Sequence, residues 1–221
     1  MLKKIVNFIL DFIWPEFCLG CRKEGSLCCE RCTEKLILLP ATPEHWPDLP
    51  HPYFDACYIS IDYENPLIQK LIKCYKYDYI QKISDILTAL LYQQALQLNL
   101  PDNTVITNVP LHHRRQRERG FDQTEVLAKK LAARLSLTYI PLLKRIRKTK
   151  SQAKLAKLER KNNVAGAFAV SGAAPRLTRR GPILLIDDVA TTGATLNEAA
   201  GVLKDYGYKK IICLVIAKNN P

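Results

Sequence analysis

Two adjacent carboxylates at the end of an apolar run mark the first place in this chain where chemistry is expected. In "ILLIDDVATTGATL", residues 183–196, four aliphatic residues lead into Asp187 and Asp188, and Thr191, Thr192, Gly193, Ala194 and Thr195 follow. A dry interior resists two neighbouring like charges, so the pair must face water, a cation or a polar ligand. The segment behind it suits an anion. Small residues allow close approach, hydroxyls add donors, and the start of a helix offers free N–H groups and a positive dipole end. Two acids for adjacent sugar hydroxyls and a seat for phosphate together form a cradle for ribose 5-phosphate. The chain has no G-x-x-x-x-G-K-[ST] loop and no dinucleotide fingerprint, so Walker and Rossmann sites do not compete. An acidic turn that only caps a helix would account for one aspartate and leave the other residues idle.

The cysteines suggest a second chemistry. Cys18-Leu-Gly-Cys21 and Cys29-Glu-Arg-Cys32 are two C-x-x-C pairs, each able to place two thiolates on one side of a tight turn. Two such pairs complete a tetrahedral zinc site. Disulfides are the competing use, but thiols stay reduced in the cytosol. Cys28 is read as a spare, and Cys57, Cys74 and Cys213 as small apolar residues in or near the core. His45 and His51 are read as surface residues.

Charge is unevenly distributed. The net charge is +12, and residues 111–161 hold 16 Lys or Arg against four acids, so this quarter carries the whole surplus. A dispersed excess would be a solvated face; one this concentrated points to an anionic partner, a polyphosphate or a nucleic acid.

The elements that position these groups follow from pattern. A chain of 221 residues with 48% apolar and 24% charged residues is an ordinary soluble globular protein, and no apolar run reaches membrane-spanning length. The start, "MLKKIVNFILDFIWPEFC", superficially resembles an export signal. Asn7 and Asp11 break its apolar stretch, no small-residue cleavage site follows, and Leu2, Ile5, Ile9, Phe12 and Ile13 fall at helical spacing. A docked amphipathic helix and a cytoplasmic location are therefore expected. Three regions result: an N-terminal helix and zinc module at 1–38, a proline-rich, semi-rigid connector at 39–53, and the main domain at 54–221. The main domain should open with a strand, "ACYISIDY", and a helical region from Leu67 to about Leu98. Alternating elements then follow: a strand "TVITNVP", a helix capped by Asp122 with Glu125, a strand "TYIPLL", and a long mobile loop over 147–166 with some helix near Ala153 to Glu159. A buried strand "PILLIDDV", a helix capped by Thr195 with Glu198, and a strand "KIICLVIA" complete an α/β fold with a mainly parallel sheet flanked by helices.

With these features in hand, "LLIDDVATTGATL" resembles the phosphoribosyl pyrophosphate (PRPP) loop of type I phosphoribosyltransferases. The rest of the chain resembles the ComF/GntX family. "NVPLHHRRQRERGFDQTEVLA" is similar to its P-V-P-L…R…R-G-F-N-Q segment, and "SQAKLAKLERKNNVAGAF" to its Q-x-x-L…R-x-x-N…F segment. The paired C-x-x-C belongs to the same pattern. Asn108 stands where the family commonly has proline, and Asp122 where it commonly has asparagine. The resemblance implies a type I phosphoribosyltransferase-like fold with an N-terminal four-cysteine zinc module. It also implies PRPP with Mg2+ as ligand. Asp187 and Asp188 would then hold the ribose hydroxyls, and Ala190 to Thr195 would surround the 5-phosphate. Val109, Pro110, Leu111 and His112, with Arg114 and Arg115, would meet the pyrophosphate. Gln152, Arg160 and Asn163 lie in a segment that often closes over substrate in this fold. ComF members imply a role in DNA uptake during natural transformation, with single-stranded DNA and a competence helicase or recombination-loading protein as partners. Arg117, Arg119, Lys148, Lys150, Lys154 and Lys157 are the corresponding nucleic-acid candidates. An active transferase with an unidentified acceptor is the alternative, because no nucleophile pocket is legible in the sequence.

Overall fold

The computed structural model describes residues 16–47, 49, 51–77, 81–147, 165–172 and 181–219. The expected N-terminal helix, most of the 147–166 loop, and Lys148, Lys150, Gln152, Lys154, Lys157, Arg160 and Asn163 lie outside those residues.

Continuous aliphatic runs form the centre. β1 (Ala56–Asp62), β2 (Val105–Asn108), β3 (Thr138–Tyr139), β6 (Ile183–Ala190) and β7 (Ile211–Lys218) make a parallel sheet in the order β1-β7-β6-β2-β3. A strand buried on both faces needs apolar residues at every position, which the runs in β6 and β7 supply. Leu184 and Ile186 of β6 pack with Ile212, Leu214 and Ile216 of β7 on one face. Ile183 and Leu185 pack with Ile211, Cys213 and Val215 on the other. Each such buried side chain contributes roughly 1.5–3 kcal/mol.

The first face is covered by α2 (Pro66–Tyr77), α3 (Gln81–Leu96) and α5 (Gln123–Leu135), and the second by α6 (Ala194–Asp205). The expected single helical region from Leu67 is thus two helices, because the apolar positions form two separate stripes: Leu67, Ile68, Leu71, Ile72 and Tyr75, then Ile83, Leu87, Leu90 and Leu91. Asp122 caps α5 as expected, accepting from the N–H groups of Thr124 and Glu125. "TYIPLL" does not form one strand. Tyr139 ends the main sheet's edge strand, while β4 (Leu143–Arg145) pairs antiparallel with β5 (Phe168–Val170) in a separate two-stranded sheet. Pro141, which lacks an N–H, falls between them.

The connector lies against the body. Leu39 N–H donates to Ser60 and Glu44 N–H to Cys57, covering the free edge of β1. Trp46 and Leu49 are buried in the second core.

The chain leaves β2 through α5 toward β3 and leaves β6 through α6 toward β7, in opposite directions and on opposite faces. The carboxyl ends of β2 and β6 therefore flank a topological switch point, where open α/β sheets bind ligands. Pairing between the two strands ends at Asn108 opposite Ile186, whereas β6 runs on beside β7 to Ala190.

Candidate functional site

Asp187 and Asp188 occupy the stretch of β6 that extends past β2. Asp187 Oδ1 accepts from Asp188 N–H at 2.8 Å, and Asp188 Oδ1 accepts from Val189 N–H at 2.6 Å. A cation also reaches Asp188: Lys76 Nζ, from the last turn of α2, lies 2.8 Å from Oδ1. Burial, and then the Asp188 charge, hold the Asp187 carboxyl well above the usual carboxylate range, against the pull of Lys76 and Arg145. Arg145 stands on β4 with its guanidinium 5.2 Å from the Phe168 ring centre. Burial pulls its pKa down and the Arg115 charge adds to that, against the opposing pull of the Asp187 and Asp122 carboxylates.

The turn after β6 is built on Gly193. Its φ of 73° lies in the left-handed region, and it serves as N-cap of α6 without a side-chain hydrogen bond. This corrects the expected cap at Thr195, which falls inside the helix; Glu198 instead accepts from Gly166 N–H at 2.6 Å. The capping pattern was present in the sequence, but the glycine's tight turn starts the helix two residues earlier. A Cβ on Gly193 would sit 2.8 Å from Trp46 Cε3 and 2.9 Å from Leu49 Cδ1, so the connector forms the back wall of the loop. Lys218 Nζ lies 4.7 Å from the Trp46 ring centre and bonds Glu44 at 2.6 Å. Ala190 and Ala194 are buried, Thr191 and Thr195 partly so. Thr192 Oγ1 is buried with no hydrogen-bond partner among the described residues. An orphaned hydroxyl beside a helix N-terminus fits a phosphate seat.

Opposite stands the turn after β2. Val109 N–H donates to Ile186, Leu111 N–H donates to Asp122 Oδ2 at 2.6 Å, and Thr124 Oγ1 donates to Val109 O at 2.6 Å. Asp122 thus organises the loop as well as capping α5. Asn108 is fixed at its base, donating to Thr124 Oγ1 and accepting from the Tyr139 hydroxyl at 2.8 Å. Past Pro110 the chain forms a helix that the sequence reading missed, α4 (His113–Arg119). Buried His112 is its N-cap, with Nδ1 accepting from Arg114 N–H. The four arginines diverge around this helix. Arg115 is half-buried, Arg114 pairs with Glu118, Arg117 is exposed, and Arg119 donates to Gln123. A cavity of about 250 Å³ opens between this loop, Tyr139 and β4.

The cysteine pairs converge. The sulfurs of Cys18, Cys21, Cys29 and Cys32 all lie within 4.8 Å of one another, with Cys21 and Cys29 at 3.6 Å. Four Zn–S bonds of about 2.3 Å in a tetrahedron require sulfurs about 3.8 Å apart, so the donor set fits zinc. Local geometry prepares it. Arg22 adopts a positive φ of 66° in the first turn, and α1 (Glu30–Thr33) carries Cys32. Burial opposes ionisation of Cys18, yet hydrogen bonds from the N–H groups of Cys21, Cys29 and Gly20 bring the thiol down to about 6. Cys28 stays outside the cluster, 3.3 Å from Thr33 Oγ1, and burial pushes its thiol up. The module rests on α2, where Lys70 Nζ donates to Leu19 O and Leu67 lies near Gly20.

A switch-point crevice with paired acids on one strand and a glycine-started helix behind them defines the phosphoribosyltransferase class. The model described as "Phosphoribosyl transferase domain" matches residues 123–221. Among similar proteins, competence protein F of Haemophilus influenzae is 33% identical over 167 residues, covering 72% of this chain and 71% of that protein. DNA utilization protein YhgH of Escherichia coli strain K12 is 32% identical over 214 residues, covering 86% and 91% respectively. The YhgH protein of Salmonella typhimurium is 31% identical over 185 residues, covering 80% and 72%. The chain belongs to the ComF family.

Proposed function

We propose that this protein binds Mg2+·PRPP at the switch point and handles single-stranded DNA during DNA uptake. The acid pair beside the Gly193 turn carries the ligand assignment, since a ribose phosphate needs both an acceptor pair and an anion seat. In this reading Asp187 and Asp188 accept from the ribose hydroxyls, and Ala190 to Thr195 enclose the 5-phosphate. Val109, Pro110, Leu111 and His112, with Arg114 and Arg115, meet the pyrophosphate. Mg2+, when bound, neutralises pyrophosphate charge. The buried Thr192 hydroxyl supports the phosphate seat. Cys18, Cys21, Cys29 and Cys32 hold Zn2+ in a module at 1–38, joined through 39–53 to the domain at 54–221.

DNA handling draws support from the names of the relatives, competence protein F and DNA utilization protein, and from the basic surplus of residues 111–161. Arg117, Arg119, Lys148, Lys150, Lys154 and Lys157 are its proposed contacts, and a competence helicase or recombination-loading protein its proposed partner, in the cytoplasm. The cavity beside Tyr139 favours a second reading, in which a small acceptor takes the ribose phosphate and pyrophosphate leaves.

Calorimetry tests the ligand. Charge-assisted bonds are worth about 1.5–3 kcal/mol each, so Asp187→Asn with Asp188→Asn weakens Mg2+·PRPP binding by roughly a hundredfold or more. Equal affinity for parent and double variant would refute the assignment.

A further inference from the structure

Lys76 belongs to none of the motifs above, yet it holds Asp188. Only 20% of its side chain and 13% of that of Asp188 remain exposed around the 2.8 Å contact. The helix keeps it there. Ile68, Leu71, Ile72 and Tyr75 bury the core-facing side of α2, and the Tyr75 hydroxyl donates to the Gln123 carbonyl at 2.9 Å. Lys70 and Lys73 on the same helix are exposed, so Lys76 alone of the three is drawn into the crevice.

A shielded ion pair has consequences for what the acids can bind. A divalent cation arriving alone at Asp188 must displace the ammonium and then stand beside its like charge. A divalent cation already carrying a polyphosphate brings anionic oxygens, and the displaced ammonium has a new partner. We infer that Lys76 restricts the acid pair to divalent cations that arrive complexed to a polyphosphate and excludes the free ion. Lys76 is thus a specificity-determining residue. The inference rests on the reading of Asp187 and Asp188 as the acids of the Mg2+·PRPP site.

The test uses the full chain with Mn2+ as probe, first alone by paramagnetic resonance and then with PRPP by calorimetry. Lys76→Met should bind Mn2+ alone at least about tenfold more tightly than the parent, and Mn2+·PRPP at least about tenfold more weakly. Lys76→Gln, which keeps a donor for Asp188 while removing the charge, should behave the same way and serves if the methionine variant does not fold. Lys76→Arg should match the parent in both titrations. Parent and charge-free variants binding free Mn2+ equally would overturn the inference, and if the parent still bound Mn2+·PRPP, the ligand reading would survive. A difference toward free Mn2+ with no PRPP binding by any protein would uphold the exclusion and overturn the ligand.

Discussion

Cys18 and Cys32 face opposite demands within one cluster. N–H groups pointing at Cys18 bring its thiol down to about 6 despite burial, whereas burial and the bonds to the other sulfurs push Cys32 up to about 12. A metal resolves that conflict by taking all four as thiolates. Cys18 has a folded pKa below the ordinary thiol value, so its thiolate is stabilised at neutral pH and that contribution is lost as pH falls through about 6. Protein purified without chelator should carry one zinc per chain, Cys28→Ala should retain it, and Cys18→Ala should lose it. Acidification should release the metal, because protons compete with it for the thiolates. Elemental analysis checks all four, and equal zinc in the Cys18 and Cys28 variants would contradict the ligand set. Residues of this kind are legible because their partners are close in sequence. Lys76 is not, since 112 residues separate it from Asp188 and its spacing after Lys70 and Lys73 reads as a solvated face. Arg145 is hidden for the same reason, inside a basic run.

Among the elements, the turn after β6 depends on a glycine for two separable reasons. Gly193 and Gly166 both have positive φ, 73° and 64°, but a Cβ at Gly166 meets nothing within 4 Å, whereas one at Gly193 meets Trp46 and Leu49. Left-handed backbone costs a residue with a Cβ about 1–2 kcal/mol. Crowding at Gly193 adds about 1–3 kcal/mol. Gly193→Ala should therefore lose about 3 kcal/mol in urea unfolding and Gly166→Ala about 1 kcal/mol. Equal losses would mean that the connector does not brace the loop. β6 and β7 were legible because unbroken apolar runs leave few alternatives, and β1 and β2 because short β-branched stretches are bounded by turn residues. The pairing of β4 with β5 was not, because "PLLKRI" and "AFAV" are short and pair only through a tertiary approach. Nor was the docking of Trp46, since proline density speaks of backbone stiffness and not of what the intervening side chains touch.

Across the whole molecule, the parallel sheet was legible from alternating elements, but the strand order was not, and strand order is what creates the switch point. No helix among the described residues is long and apolar enough to cross a membrane. The charge map was fully legible, because composition needs no fold: the basic surplus lies in residues 111–161, which run from the loop after β2 into the segment between β4 and β5. If that surplus serves DNA, its contribution must come from phosphate neutralisation and must weaken with salt. The most direct measurement is fluorescence anisotropy of a labelled single-stranded oligonucleotide across a salt series, with and without Mg2+·PRPP. About six phosphate contacts give a log–log slope near −4, and reversing Lys148, Lys150, Lys154 and Lys157 to Glu should reduce both affinity and slope while zinc content is retained. No binding to the oligonucleotide even at low salt, with Mg2+·PRPP binding intact, would contradict the DNA role and leave a transferase whose acceptor is still to be found.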